Sequence, residues 1–261
     1  MKFDDNIVES TSNLLYELGS FLKTSSIFDR YNINNLVDEI EEPCVLAVTG
    51  QVKAGKSYLI NCLLGSDLAI TGITETTATI NIFKKGTPLY ADKPVLCIWL
   101  DGSKEWMPRT FLDKLQGTSA EALNLASQID RLIFYVDNIP FLDYVTIVDT
   151  PGIGAVVGRD GEEHQIQTEA YFRLRERHRT DTISLSNNAD AIIYLFGNDV
   201  PTDLDKKFLA SLYNNGNGLT SFNSIGVLPK CDKRKDIEKI KNYSIKYSED
   251  FKRELFSIIP V

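Results

Sequence analysis

Long apolar runs are missing from this chain of 261 residues; none approaches the roughly 20 residues that cross a bilayer as a helix. The N-terminus also lacks the pattern of a secretory signal, so we expect a cytoplasmic chain. Histidine is almost absent. His164 and His178 have no serine, cysteine or metal-ligand companion at usable spacing, and neither is assigned a catalytic role. The four cysteines, Cys44, Cys62, Cys97 and Cys231, are not spaced as metal ligands. Two fall in elements expected to form the core, so buried free thiols in a reducing compartment are the expectation. A basic excess is missing too: 28 Lys and Arg face 36 Asp and Glu, giving a net charge of −8. That argues against a mainly electrostatic nucleic-acid binder, and no nucleic-acid partner is expected. There is no internal repeat and no low-complexity tract. What remains, 43% apolar and 25% charged residues, is the composition of one large globular domain or of a domain with an appendage.

Residues 5–23 place Ile7, Leu14, Leu18 and Phe21 on one helical stripe. Residues 33–41 read as a second helix, with Leu36, Val37 and Ile40 inward and Pro43 ending it. Residues 1–42 therefore form an N-terminal helical segment, which packs on the domain or belongs to a bundle whose other helices lie elsewhere. Over 43–261, strands at 44–49, 78–83, 143–148, 191–196, 224–228 and 256–261 alternate with helices at 57–64, 165–188, 202–214 and 234–255. This is the pattern of a three-layer α/β domain with a mainly parallel sheet of six or more strands. In helix 202–214, Leu204, Phe208 and Leu212 share a stripe. Residues 95–107 read as a hairpin turning at Asp101-Gly102, followed by short helices at 109–116 and 118–128 and a strand at 131–136.

The chemistry begins at a glycine loop. Gly50, Gln51, Val52, Lys53, Ala54, Gly55, Lys56 and Ser57 fit G-x-x-x-x-G-K-[ST], between an apolar strand and a helix opening with Tyr58. Backbone N–H groups of such a loop close on phosphate oxygens, and the helix N-terminus favours the anion. Lys56 is the candidate for the outer phosphates and Ser57 for Mg²⁺. Asp149-Thr-Pro-Gly152 follows a buried strand. Its carboxylate suits the Mg²⁺ shell, and the Gly152 N–H can sense a γ-phosphate. A second metal hydroxyl is expected from Thr77, with Thr76 the alternative. After strand 224–228, Asp232 can accept both N1–H and N2–H of guanine while the Lys230 stem covers the base. Together these residues predict GTP or GDP with Mg²⁺ as the ligand.

Carried on these residues, the chain resembles the GTPase domain of a dynamin-like protein, most closely the bacterial ones. The resemblance rests on Gly50–Ser57, Glu75-Thr-Thr-Ala78, Asp149-Thr-Pro-Gly-Ile-Gly154 and Leu228-Pro-Lys-Cys-Asp232, and spans about residues 40–261. It implies a P-loop GTPase fold, GTP hydrolysis stimulated when two GTPase domains form a homodimer across the nucleotide, and peripheral membrane contact through regions outside these residues. It also implies a fifth GTPase motif and a last helix beyond Val261, so a C-terminally truncated domain is expected.

Three departures stand out. Pro229 replaces the usual Asn or Thr, removing one tether to the phosphate loop. Ile153 stands where Ras-like enzymes carry a water-orienting Gln. Lys53 stands where related GTPases carry a cation-binding Ser or an Arg finger; its ammonium either neutralises charge between the β- and γ-phosphates or faces solvent. Arg173-Leu-Arg-Glu-Arg-His-Arg179 is a basic patch that is read as a solvated helix face or a contact for a partner or lipid headgroups. Two rival readings remain: a GTPase of the ribosome- or RNA-associated kind, and a non-enzymatic, nucleotide-gated interaction module.

Overall fold

The computed structural model describes residues 5–22, 42–69, 79–116, 119–152, 189–197, 201–214, 223–231 and 237–261. The expected helices at 33–41 and 165–188 lie outside them. The chain separates into two compact units, Met1–Pro43 and Cys44–Val261.

In the first unit, α1 spans Asp5–Leu22. Two residues of its apolar stripe are not covered: Leu14 is 64% and Leu18 43% exposed, while Ser12 is buried. Helical periodicity identifies an apolar face but not what covers it.

The second unit is built on one nine-stranded sheet. Its strands are β1 (Cys44–Gly50), β2 (Ile80–Lys85), β3 (Val95–Trp99), β4 (Lys104–Met107), β5 (Ile129–Val136), β6 (Val145–Asp149), β7 (Ala191–Leu195), β8 (Ser224–Leu228) and β9 (Ser257–Pro260). The order across the sheet is β4-β3-β5-β2-β6-β1-β7-β8-β9. From β6 to β9 every pairing is parallel. On the other side, β2 runs antiparallel to β6 and parallel to β5, and the β3–β4 hairpin adds antiparallel to β5. The hairpin turn holds Gly102 at φ +83°, and Asp101 Oδ1 accepts from the Ser103 N–H at 2.9 Å. The sheet is thus larger than the six alternating strands suggest, because 95–107 and 129–136 extend it.

Helices cover both faces: α2 (Lys56–Leu64), α3 (Ala120–Gln128), α4 (Asp203–Asn214) and α5 (Ile237–Asp250). Successive strand residues face opposite layers. Val48 and Leu195 join Ile60, Leu64, Phe83 and Ile147 in one core. Their neighbours Ala47 and Tyr194 join Phe208, Leu209, Leu212 and Phe251 in the other. This is a three-layer P-loop GTPase fold. Leu204 is an exception to its expected stripe: it stays 40% exposed while Phe208 and Leu212 are buried. The cysteines also depart from expectation, since Cys97 is buried but Cys44 and Cys62 are exposed. Cys44 opens β1, and Cys62 lies off the face of α2 that buries Ile60, Asn61 and Leu64, so strand or helix membership does not imply burial.

Candidate functional site

The site forms where β1, β6 and β8 end on the same edge of the parallel sheet, the edge at which open α/β sheets carry their ligands. β1 ends in Gly50 at φ +141°, where a Cβ would lie 2.1 Å from the Leu195 carbonyl oxygen on β7. Only glycine permits that approach. Gln51 N–H donates to Leu195 O at 3.3 Å, and Ala54 N–H donates to Gln51 O at 3.3 Å, closing the turn. Gly55, at φ +100°, precedes α2, and no side chain caps this helix. A helix N-terminus without a side-chain cap is the kind of end that can receive an anion. On α3, by contrast, Ser119 Oγ accepts from Ala122 N–H at 3.2 Å.

Two opposite charges are buried at the head of α2. Lys56 is 6% exposed, and its Nζ donates to Gln51 O at 3.0 Å and Gly50 O at 3.4 Å. Burial lowers its pKa to about 8, with Asp149 pulling the other way. Asp149, at the end of β6, is fully buried. Burial raises its carboxyl to about 6, opposed by Lys56, by the Ser57 hydroxyl and by Asn81, its cross-strand partner on β2. Ser57 Oγ–H donates to Asp149 Oδ2 at 3.0 Å, while Asp149 Oδ1 has no hydrogen-bond partner. A hydroxyl beside a carboxylate with a spare oxygen suits Mg²⁺, which takes one or two protein ligands and fills its shell with water and phosphate. Among the described residues no group of three or more His, Cys, Asp or Glu offers an all-protein metal cage.

The other loops press against this one. A Cβ on Gly152 would lie 2.5 Å from Val52 Cγ2 and 2.7 Å from Val52 Cα, so these backbones touch with no room for a methyl group. Thr150 fastens the same turn to β1, its N–H and hydroxyl both donating to Val48 O. After β8, Lys230 Nζ donates to Lys53 O at 2.9 Å. Lys53 and Lys230 are the two non-glycine residues with positive φ among those described, at +61° and +63°. Such backbone strain clusters at functional sites. The Lys230 contact ties the turn after β8 to the phosphate loop.

The structure therefore brings together the Gly50–Ser57 loop, Asp149, Gly152 and Lys230. The Lys53 side chain is exposed. The Tyr58 ring, also expected at the ligand, is 70% exposed on α2. Thr77, Asp232, Glu75 and Ile153 lie outside the described residues. One cluster escaped the sequence reading. Gln51 Nε2 donates to Thr202 Oγ1 at 2.9 Å and to Asp205 Oδ2 at 2.7 Å. Thr202 N–H donates to Asp205 Oδ2, and Asp205 N–H to Thr202 Oγ1, which is a reciprocal cap on α4. The Thr-x-x-Asp spacing ahead of an apolar stripe signals that cap, but nothing local signals its contact with the phosphate loop.

Comparison with known proteins agrees with this geometry. Residues 46–231 match the family model described as the dynamin family. An uncharacterized protein in the xynA 3′ region of Caldicellulosiruptor sp. is 27% identical over 98% of this chain and 58% of its own length. Dynamin-like protein 2 of Campylobacter jejuni is 26% identical over 99% of this chain and 38% of its own length. This chain thus spans well under two thirds of either relative. A solved oligomerised bacterial dynamin pair, said to provide a mechanism for long-range sensing and tethering of membranes, aligns with a TM-score of 0.55. That alignment covers all of this chain and 37% of the other at 20% identity, which is a likeness of fold. No helix among the described residues is long and apolar enough to cross a membrane. The family match covers most of the chain and coincides with the three converging loops: the chain belongs to the dynamin family and carries a dynamin-like GTPase domain.

Proposed function

We propose that this domain binds GTP with Mg²⁺ and hydrolyses it by attack of water on the γ-phosphate, in a reaction stimulated when two copies meet through their GTPase domains. The observation that carries the reading is the convergence of Lys56, Ser57 and Asp149 beneath an uncapped helix N-terminus. The buried Lys56 ammonium is a preplaced cation, and a phosphate anion entering the loop would favour its charged form. Loop N–H groups orient the phosphates, and Ser57 and Asp149 are the residues that would hold the metal, with Thr77 as the further ligand from sequence. When bound, Mg²⁺ supplies charge neutralisation at the β- and γ-phosphates. Lys230 and Asp232 would read guanine, the first already anchored on the loop. Lys53, exposed at the turn, would meet phosphate charge or face solvent. Ile153 has no amide to orient water, which supports completion of the site by a second copy. By analogy with the bacterial dynamin pair, whose assembly is said to provide a mechanism for sensing and tethering membranes, this protein would act as a peripheral membrane GTPase.

The test is GTP and ATP turnover against protein concentration with Mg²⁺. A GTP rate per molecule that rises with concentration supports the proposal. Tight GTP binding without turnover supports a nucleotide-gated interaction module, and absence of GTP binding overturns both.

A further inference from the structure

Gln51 is a phosphate-loop residue whose side chain reaches a carboxylate on α4. Asp205 is 1% exposed, and both of its carboxyl oxygens accept hydrogen bonds. Oδ1 accepts from the Tyr194 hydroxyl on β7. Oδ2 accepts from Thr202 N–H, Thr202 Oγ–H and Gln51 Nε2. The α4 cap needs only the two Thr202 contacts; Gln51 adds a connection that capping does not require. The geometry around it is committed to that connection. A Cβ on Gly197 would lie 2.3 Å from Gln51 Oε1, so glycine at 197 leaves the channel in which the amide lies. The main chain of Gln51 also works on both sides of the loop. Its N–H is fixed to Leu195 O, and its carbonyl receives the Lys56 ammonium.

We propose that Asp205 is a positioning residue for the nucleotide site, acting through the Gln51 side chain to hold the phosphate loop in its binding geometry before a nucleotide arrives. The inference rests on the nucleotide-binding reading above. A side chain anchored at its far end on a buried carboxylate cannot rotate freely, and this fixes the peptide that carries the Lys56 acceptor. Loss of the anchor frees the turn, and a nucleotide must then order it on binding. The cost falls on every ligand that fills the loop with phosphate, so GDP and GTP are affected alike.

A double-mutant cycle on the whole chain tests this, with GDP and GTP affinities measured by direct titration and melting temperature recorded for each protein. Asp205→Ala is expected to weaken both nucleotides by about tenfold when Gln51 is present. In a Gln51→Leu background the same change is expected to have no further effect on affinity, although it still lowers the melting temperature. If Asp205→Ala fails to fold, Asp205→Asn takes its place, since an amide cannot accept from all the donors that converge there. Tyr194→Phe, which removes only the bond to Oδ1, is expected to lower the melting temperature and leave both affinities within about twofold. Equal losses from the Asp205 change in both backgrounds would overturn the proposal, as would a lower melting temperature with unchanged affinities. If the wild-type chain binds no guanine nucleotide at all, the reading of the site fails and this inference fails with it.

Discussion

The two halves of the sheet treat polar groups in opposite ways. The parallel half, β6-β1-β7-β8-β9, buries Lys56, Asp149 and Asp205 at its strand ends, and two strained lysine backbones lie at the same edge. The added half, β4-β3-β5-β2, packs Phe83 on Phe134 at 4.8 Å between ring centroids and buries Leu132, Phe134 and Cys97. Its helix α3 is capped by its own Ser119, whereas α2 in the parallel half is left uncapped. Apart from Asn81, which faces Asp149 across the sheet, the added half resolves its local interactions within itself; the parallel half leaves Asp149 Oδ1 and the head of α2 without a side-chain partner. Stability and function are therefore expected to separate along the sheet.

The sharpest break in that separation would come from Phe134→Ala. It is expected to cost about 3–5 kcal/mol of unfolding free energy, with KM for GTP unchanged wherever the protein remains folded. Denaturant titration beside turnover measures both; a specific loss of nucleotide affinity would contradict the division. Lys56→Ala should do the reverse, cutting turnover by about a hundredfold or more with little loss of melting temperature.

The pH dependence of the ligand-free protein sharpens the comparison further. Asp149 rises from 3.8 to about 6, so the folded state binds more protons than the unfolded between those values. Its contribution to stability is fully present below about pH 4 and is lost as pH rises through 6. Lys56 falls from 10.5 to about 8, so its contribution is present above 10.5 and is lost as pH falls through 8. Both groups thus destabilise the empty site near neutrality, by on the order of a few kcal/mol at most. Thermal unfolding from pH 4 to 10 in chelator should show the acid limb in the wild type and lose it in Asp149→Asn. The smallest effect belongs to the added half's surface. Lys84 Nζ lies 5.1 Å from the Tyr135 ring centroid, and Lys84→Ala should cost ~0.5–1 kcal/mol without touching turnover.

The division also explains what could be read in advance. Gly50–Ser57, Asp149 and Lys230 were legible because phosphate and metal chemistry demand particular residue types at short spacings after strands. The strands at 95–107 and 131–136 were legible as strands, but their place in the sheet was not. It depends on β2 pairing with β5 on one side and β6 on the other, partners 51 and 68 residues away along the chain at Ile80↔Arg131 and Asn81↔Asp149. Periodicity carries no such information. The same limit accounts for Leu14, Leu18 and Leu204, whose stripes were real but whose cover was not encoded locally. Asp205 went unread as part of the site because its partner Gln51 lies 154 residues earlier.

Zero clearance between Gly152 and Val52 has a mechanical consequence. A contact with no space for one methyl group cannot absorb displacement; it transmits it. Movement of the Asp149–Gly152 turn must push on the phosphate loop, and movement of the loop must push back. The side chain at 52 is therefore the spacer through which the two turns would act on each other, and its size sets their separation.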